Sequence, residues 1–284
     1  MTVHVTLFEV GPRDGLQNQG AWVPTETKIA LIDALSAAGF ASIEATSFVS
    51  PRWVPQMADA AQVMASIRRV PAVRYAALTP NLRGLEAALA AGCDEVAVFA
   101  AASEGFSHAN LNCSIAESLD RFAPVMDLAR AQGLPVRGYL STVIACPFDG
   151  PTPPEAVRRW TERLLEIGCY EVSLGDTIGA GTTGTLEALF ATLLQHVDPL
   201  ALAGHFHDTS GRAADLIGLS LDHGLRCFDA SVGGLGGCPY APGAPGNIDT
   251  RRALDMIARR GFSHGIDMEA LRKAEAIVAG LAAA

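Results

Sequence analysis

The stretch AGHFHDTSG, residues 203–211, carries two histidines, His205 and His207, with Asp208 directly behind them. Side chains alternate along a strand, so this spacing turns both imidazoles to one face, with Cβ atoms about 7 Å apart. Two same-face imidazoles at the end of an apolar run are a donor set for one divalent cation. For either histidine alone, a hydrogen-bonded core residue is the alternative. No cysteine adjoins the pair, so the remaining ligands are expected to be oxygens: Asp14 in PRDG first, Asn247 in GAPGN second. Taken singly, Asp14 also reads as a turn former and Asn247 as the N-cap of the next helix. Two imidazoles with carboxylate and amide oxygens leave about two places of an octahedron open, which suits Mg2+ or Mn2+ better than a closed zinc site.

Two further stretches bear on chemistry. SVGGLGGCPYAPGAPGN, residues 231–247, is too rich in glycine and proline to form a regular element. A long loop of this kind over a site reads as a lid, with Gly236, Gly237 and Cys238 at its centre. The flanking glycines give the Cys238 thiol little apolar cover, so it reads as a nucleophile or proton donor more than as a buried structural thiol. GAGTTG, residues 179–184, matches a dinucleotide-binding glycine pattern. It follows the sixth strand and not the first, so a tight strand-to-helix loop is expected, with neither nicotinamide nor flavin as cofactor.

These residues need elements to hold them. A unit recurs along the chain: a helix-period segment, a glycine, then a short apolar strand, as in LAAGCDEVAVFA and LLEIGCYEVSLGDT. In one helix Thr152 and Glu155 read as a capping box with Pro153 at the first helical position. Val157, Trp160, Leu164 and Ile167 follow as an apolar stripe, and Gly168 ends it. Strands are expected from about residues 3, 41, 73, 95, 136, 170, 202 and 227, several apolar on both faces. Eight such strand–helix units make a single (β/α)8 (TIM) barrel over residues 3–262, with an additional C-terminal helix at 267–283, all one domain over 1–284. An open doubly wound sheet shares the alternation and is the rival. In a barrel, chemistry sits at the C-terminal strand ends, where Glu9, Arg13, Asp14, Glu44, Asp176 and the histidine pair fall.

The 284 residues, 49% hydrophobic and 18% charged, suffice for a large packed core. A net charge of -9 without blocks of like charge argues against a nucleic-acid partner. No apolar run reaches spanning length and the first residues do not read as a signal peptide, so neither a membrane partner nor export is expected. The six cysteines form no C-x-x-C pair, and a cytoplasmic enzyme is the expectation.

VGPRDGLQN, IEATSFVSPRWVPQM, GCYEVSLGDTIG, HFHDT and GLGGCPYAPGAPGN together resemble the 3-hydroxy-3-methylglutaryl-CoA lyases, from about residue 5 to 275. That resemblance implies a metal-dependent barrel that cleaves a 3-hydroxyacyl-CoA to acetyl-CoA and acetoacetate, as in leucine catabolism. It implies Asp14, His205, His207 and Asn247 as metal ligands, Arg13 as catalytic arginine and Cys238 as lid cysteine. Glu44, Asp176 and Gln17 would support them, and an acyl-CoA substrate and a homodimer or higher homo-oligomer are implied. Arg251 stands where the family usually has an acidic residue, and Ser210 where Tyr is common. In the retro-Claisen reading, Asp14 or a histidine such as His205 takes the substrate hydroxyl proton. Arg13 stabilises the enolate and Cys238 protonates the acetyl-CoA carbanion. The alternatives are a lyase for a related 3-substituted substrate, a synthase or pyruvate-forming aldolase on the same platform, and a metal-binding acyl-CoA sensor.

Overall fold

The computed structural model describes residues 3–237 and 246–282. Among them, eight parallel strands close into a barrel: β1 (Thr6–Glu9), β2 (Ser42–Ser47), β3 (Arg74–Leu78), β4 (Glu95–Ala101), β5 (Val136–Ser141), β6 (Val172–Asp176), β7 (Leu202–Phe206) and β8 (Cys227–Ala230). The order around the ring is the chain order, with β8 returning to β1. The open-sheet rival is thereby excluded. Strand starts fall within a few residues of the expected positions, β1 latest, because His4 makes only an isolated bridge to Ser263 before the ladder begins.

Between strands run α1 (Thr25–Ala37), α2 (Ala60–Ser66), α3 (Leu82–Ala90), α4 (Glu104–Leu111), α5 (Ile115–Ala131), α6 (Pro154–Glu166), α7 (Thr183–Leu193) and α8 (Ala213–Asp222), and α9 (Thr250–Arg259) follows β8. The main apolar core is the layer between these helices and the strands' outer faces, with Leu31, Ile43, Val96, Leu164, Leu189 and Ile217 buried in it. That explains the strands without polar alternation: both faces are covered. In α6, Val157 and Leu164 are fully buried and Gly168 follows at φ +113°, a conformation a Cβ would oppose.

Two local expectations fail. Thr152 does not cap α6: its hydroxyl donates to the Thr142 carbonyl at 2.6 Å, and Pro153 takes the N-cap position without a side-chain bond. Capping boxes form instead at Ser114–Glu117 on α5 and Thr182–Thr185 on α7. A small antiparallel hairpin, Ala145–Cys146 with Gly150–Pro151, also intervenes after β5.

The last helix, α10 (Met268–Ala282), packs on α1 and on the turn Val232–Gly234 that follows β8. Arg251 of α9 is bonded to Glu275 of α10 through two nitrogens, at 2.7 and 2.9 Å. Arg251 is thus an anchor for the final helix. No described helix is long and apolar enough to cross a membrane.

Candidate metal centre and active site

Barrel closure brings the start of the chain to its last third. β1 lies beside β8 and β8 beside β7, so residues just past Glu9 stand two strands from the histidine pair. After β1 the chain makes one wide turn, Gly11–Gly15, in which the amides of Arg13, Asp14 and Gly15 all donate to the Val10 carbonyl. Gly15 permits it: a Cβ there would lie 2.7 Å from Ser231 Oγ and 2.8 Å from Leu235 Cβ. The turn swings the Asp14 carboxylate over the mouth. One donor atom each of Asp14, His205 and His207 lie within 4.8 Å of one another.

Asn247 joins them by an isolated bridge between its backbone and that of His207, and its Nδ2 donates to Asp14 Oδ2 at 2.7 Å. It is not a helix cap; Asp249 has that role for α9. Arg13 donates from Nε to Glu44 Oε2 and from Nη1 to Asp14 Oδ1, both at 2.6 Å, and Gln17 Nε2 donates to the same Asp14 oxygen at 2.9 Å. The set therefore meets as one cluster: Arg13, Asp14, Gln17, Glu44, His205, His207 and Asn247.

Asp176 ends β6. Its two oxygens accept the amides of Ala180 and Gly181, so it folds the loop containing GAGTTG and makes no hydrogen bond to the donor set among the described residues. That loop is a tight connection leading to the Thr182 cap of α7, and Asp208 accepts the Ala213 amide where α8 begins. Gly236 and Gly237 lie at the loop base, where Asn18 Nδ2 donates to the Gly237 carbonyl at 3.1 Å. The loop's two ends touch beside Asn247. A Cβ on Gly236 would sit 2.8 Å from Asn247 Nδ2, and one on Gly246 would sit 2.5 Å from the Gly236 carbonyl carbon. Cys238 lies outside the described residues.

The electrostatics suit a cation. Burial works to raise the Asp14 pKa, but Arg13 and then His205 and His207 hold it below the usual carboxylate range. Burial, and next the charge of His205, lower the His207 pKa to about 4, so that ring is neutral at neutral pH. His207 Nδ1 is buried without a protein partner, as is Glu44 Oε1. A cluster of lone pairs with an orphaned imidazole nitrogen is what a bound cation would complete, so these residues fit one.

Sequence reasoning missed Asp229. It sits in β8 opposite His205 in the strand register, and the His205 Nδ1 to Asp229 Oδ2 distance is 3.0 Å. Arg137 of β5 donates to its other oxygen at 2.7 Å, and Ser173 Oγ donates to Oδ2 at 2.7 Å. Burial alone would lower the His205 pKa, but the hydrogen bond and charge of Asp229 outweigh it and raise it. The available signal was a charged residue inside an apolar strand, as in CFDA and VRGYLS.

The HMGL-like family matches residues 4–278. The chain is 54% identical over 267 residues to a Pseudomonas aeruginosa protein named 3-hydroxy-3-isohexenylglutaryl-CoA/hydroxy-methylglutaryl-CoA lyase, covering 94% of this chain and 89% of that one. The crystal structure of the HMG-CoA lyase from Brucella melitensis superposes with a TM-score of 0.97 at 56% identity, over 98% of this chain and 99% of that one. A structure of an HMG-CoA lyase from Acinetobacter baumannii in complex with coenzyme A and 3-methylmalate gives 0.92 at 35% identity, over 98% and 91%.

Proposed function

The chain belongs to the HMGL-like family, and from that premise we infer that it is a lyase cleaving 3-hydroxy-3-methylglutaryl-CoA to acetyl-CoA and acetoacetate. The observation that carries the reading is the convergence of Asp14, His205 and His207 on one point beside Arg13. The coenzyme A complex of the Acinetobacter relative supports an acyl-CoA substrate. Asp14, His205, His207 and Asn247 would hold a divalent cation, and their oxygen and imidazole donors favour Mg2+ or Mn2+. When bound, such a cation lowers the pKa of a hydroxyl beside it.

The chain's own groups do the rest. Arg13 has Nε on Glu44 and Nη1 on Asp14, so Nη2 is the donor left for the thioester oxygen where enolate charge develops. Glu44 and Asp14 keep that guanidinium protonated against its burial. Asp14 is a weak base because its oxygens are engaged by Arg13, Gln17 and Asn247. The 3-hydroxyl proton goes to Asp14 or to His205, and His205 can take it only on an Nε2 that does not hold the cation, because Asp229 claims Nδ1. Cys238 returns a proton to the acetyl-CoA carbanion; Cys238→Ser should fold normally and slow cleavage, and unchanged turnover would remove the thiol from the scheme.

The whole of 1–284 acts as one domain, supported by α10 packing on α1, and a homo-oligomer is expected by resemblance. Unpaired cysteines at 93, 113, 146, 169 and 227 support a reducing compartment and hence the cytoplasm. The Pseudomonas relative's name favours a second reading in which bulkier 3-substituents are also accepted. A coupled assay of acetyl-CoA release across 3-substituted 3-hydroxyglutaryl-CoA thioesters, with and without Mn2+, tests the reaction, its metal dependence and the substituent range. Metal-dependent release is expected, fastest with the methyl substrate. Condensation with a 2-oxo acid, or binding without cleavage, would overturn it in favour of a synthase or a sensor.

A further inference from the structure

The barrel interior holds a line of polar groups that reaches the site from below. Arg137 is fully buried, between the rings of Phe8 and Tyr139, with its carbon Cζ 4.4 and 5.1 Å from their centroids. It donates from Nε to Glu171 Oε1 and from Nη2 to Asp229 Oδ1, both at 2.7 Å. Asp229 then meets His205 Nδ1 through Oδ2. We propose that Arg137 and Asp229 act as positioning residues that fix the tautomer of His205, leaving its Nε2 lone pair toward the mouth. The proposal rests on the metal-dependent reading above, since that lone pair is the one a cation or a substrate proton would meet.

A carboxylate only accepts, so a neutral His205 must carry its proton on Nδ1 to satisfy Asp229. The orientation is not free, because Oδ1 is claimed by Arg137, a group with donors alone. An amide at this position would be forced into one pose. Arg137 would take the amide oxygen, and the NH2 would face His205 Nδ1 and Ser173. The ring would then have to accept at Nδ1 and carry its proton on Nε2, which is the wrong tautomer for a ligand.

Two variants make this testable: Asp229→Asn, and Asp229→Asn combined with Arg137→Met. Two-bond 1H–15N correlation spectra of the metal-free protein read the tautomer of His205 directly, and Mn2+ titration reads affinity. Recorded at a pH above the titration of His205, where the ring is neutral, wild type should show its one proton on Nδ1. Asp229→Asn should show it on Nε2 and bind Mn2+ about 10–100-fold more weakly. The double variant frees the amide to turn over, so the Nδ1 proton and most of the affinity should return. A purely structural role predicts the reverse: two losses that accumulate.

A wild-type proton on Nε2, or an unchanged tautomer in Asp229→Asn, would overturn the proposal. An intact tautomer switch in a wild type that binds no Mn2+ would support the relay and count against the metal-dependent reading. If the double variant does not fold, the wild type and Asp229→Asn still decide it.

Discussion

Two buried arginines share one aromatic ring. Arg13 lies at the mouth, 5.4 Å from the Tyr139 centroid, and Arg137 lies deeper, 5.1 Å from it. Each is bonded to two carboxylates: Glu44 and Asp14 above, Glu171 and Asp229 below. The surroundings differ. Arg13 retains slight exposure and stands among converging lone pairs on a turn after β1, with the loop base of Gly236 and Gly237 nearby. Arg137 has none and is clamped inside the barrel wall. The same ion pairing therefore serves two ends: above, it aims a donor at space that a substrate could fill; below, it fixes other side chains.

Variants that break this contrast rank by size. His207→Ala should be the most severe, with Mn2+ affinity and turnover both falling by about three orders of magnitude while thermal stability without metal hardly changes. Arg137→Met should do the opposite. It strands Asp229 and Glu171, and a urea melt should show a loss of about 3–5 kcal/mol. Arg13→Gln should cost about 10²–10³ in kcat with Mn2+ affinity kept, since it removes an oxyanion donor and no ligand. Were Arg13→Gln to unfold the protein as readily as Arg137→Met, or leave turnover untouched, the contrast between mouth and interior would fail.

The smallest effect concerns Glu9, at the end of β1. Its Oε1 accepts the amides of Gly11 and Val232 at 2.9 Å each, and its Oε2 accepts the Thr250 hydroxyl at 2.6 Å. Burial raises its pKa to about 7 despite those bonds. A carboxyl raised above its unfolded value contributes stability below the unfolded pKa and loses it as pH climbs through the folded one. Glutamine offers the same oxygen to the amides and an NH2 to Thr250. Thermal melts of Glu9→Gln should therefore gain on wild type between about pH 5 and 8, by at most about 3 kcal/mol. A gap independent of pH would show that Glu9 stays ionised throughout.

Much of this molecule was legible in its sequence because period and punctuation survive without coordinates. Apolar runs bounded by helix-ending glycines located the eight strands, and polar residues gathered at their C-terminal ends located the mouth. The His-x-His spacing needed only the alternation of a strand. What stayed hidden depends on the closed register. That Asp229 stands opposite His205, and that Arg137 reaches across to it from β5, follow from barrel closure and tilt, which no local pattern records. Thr152 misled for a related reason: the cap motif is local, but a nearby carbonyl at Thr142 outcompetes it. Asp176 likewise has the right type at the right strand end, yet its oxygens go to its own loop.

The most direct test is anomalous diffraction from crystals grown with Mn2+. One peak should lie between the Asp14 carboxylate and the imidazoles of His205 and His207, with the Asn247 amide oxygen turned toward it and Arg13 alongside. A peak elsewhere, or rings that face apart with Asp14 withdrawn from them, would contradict the account.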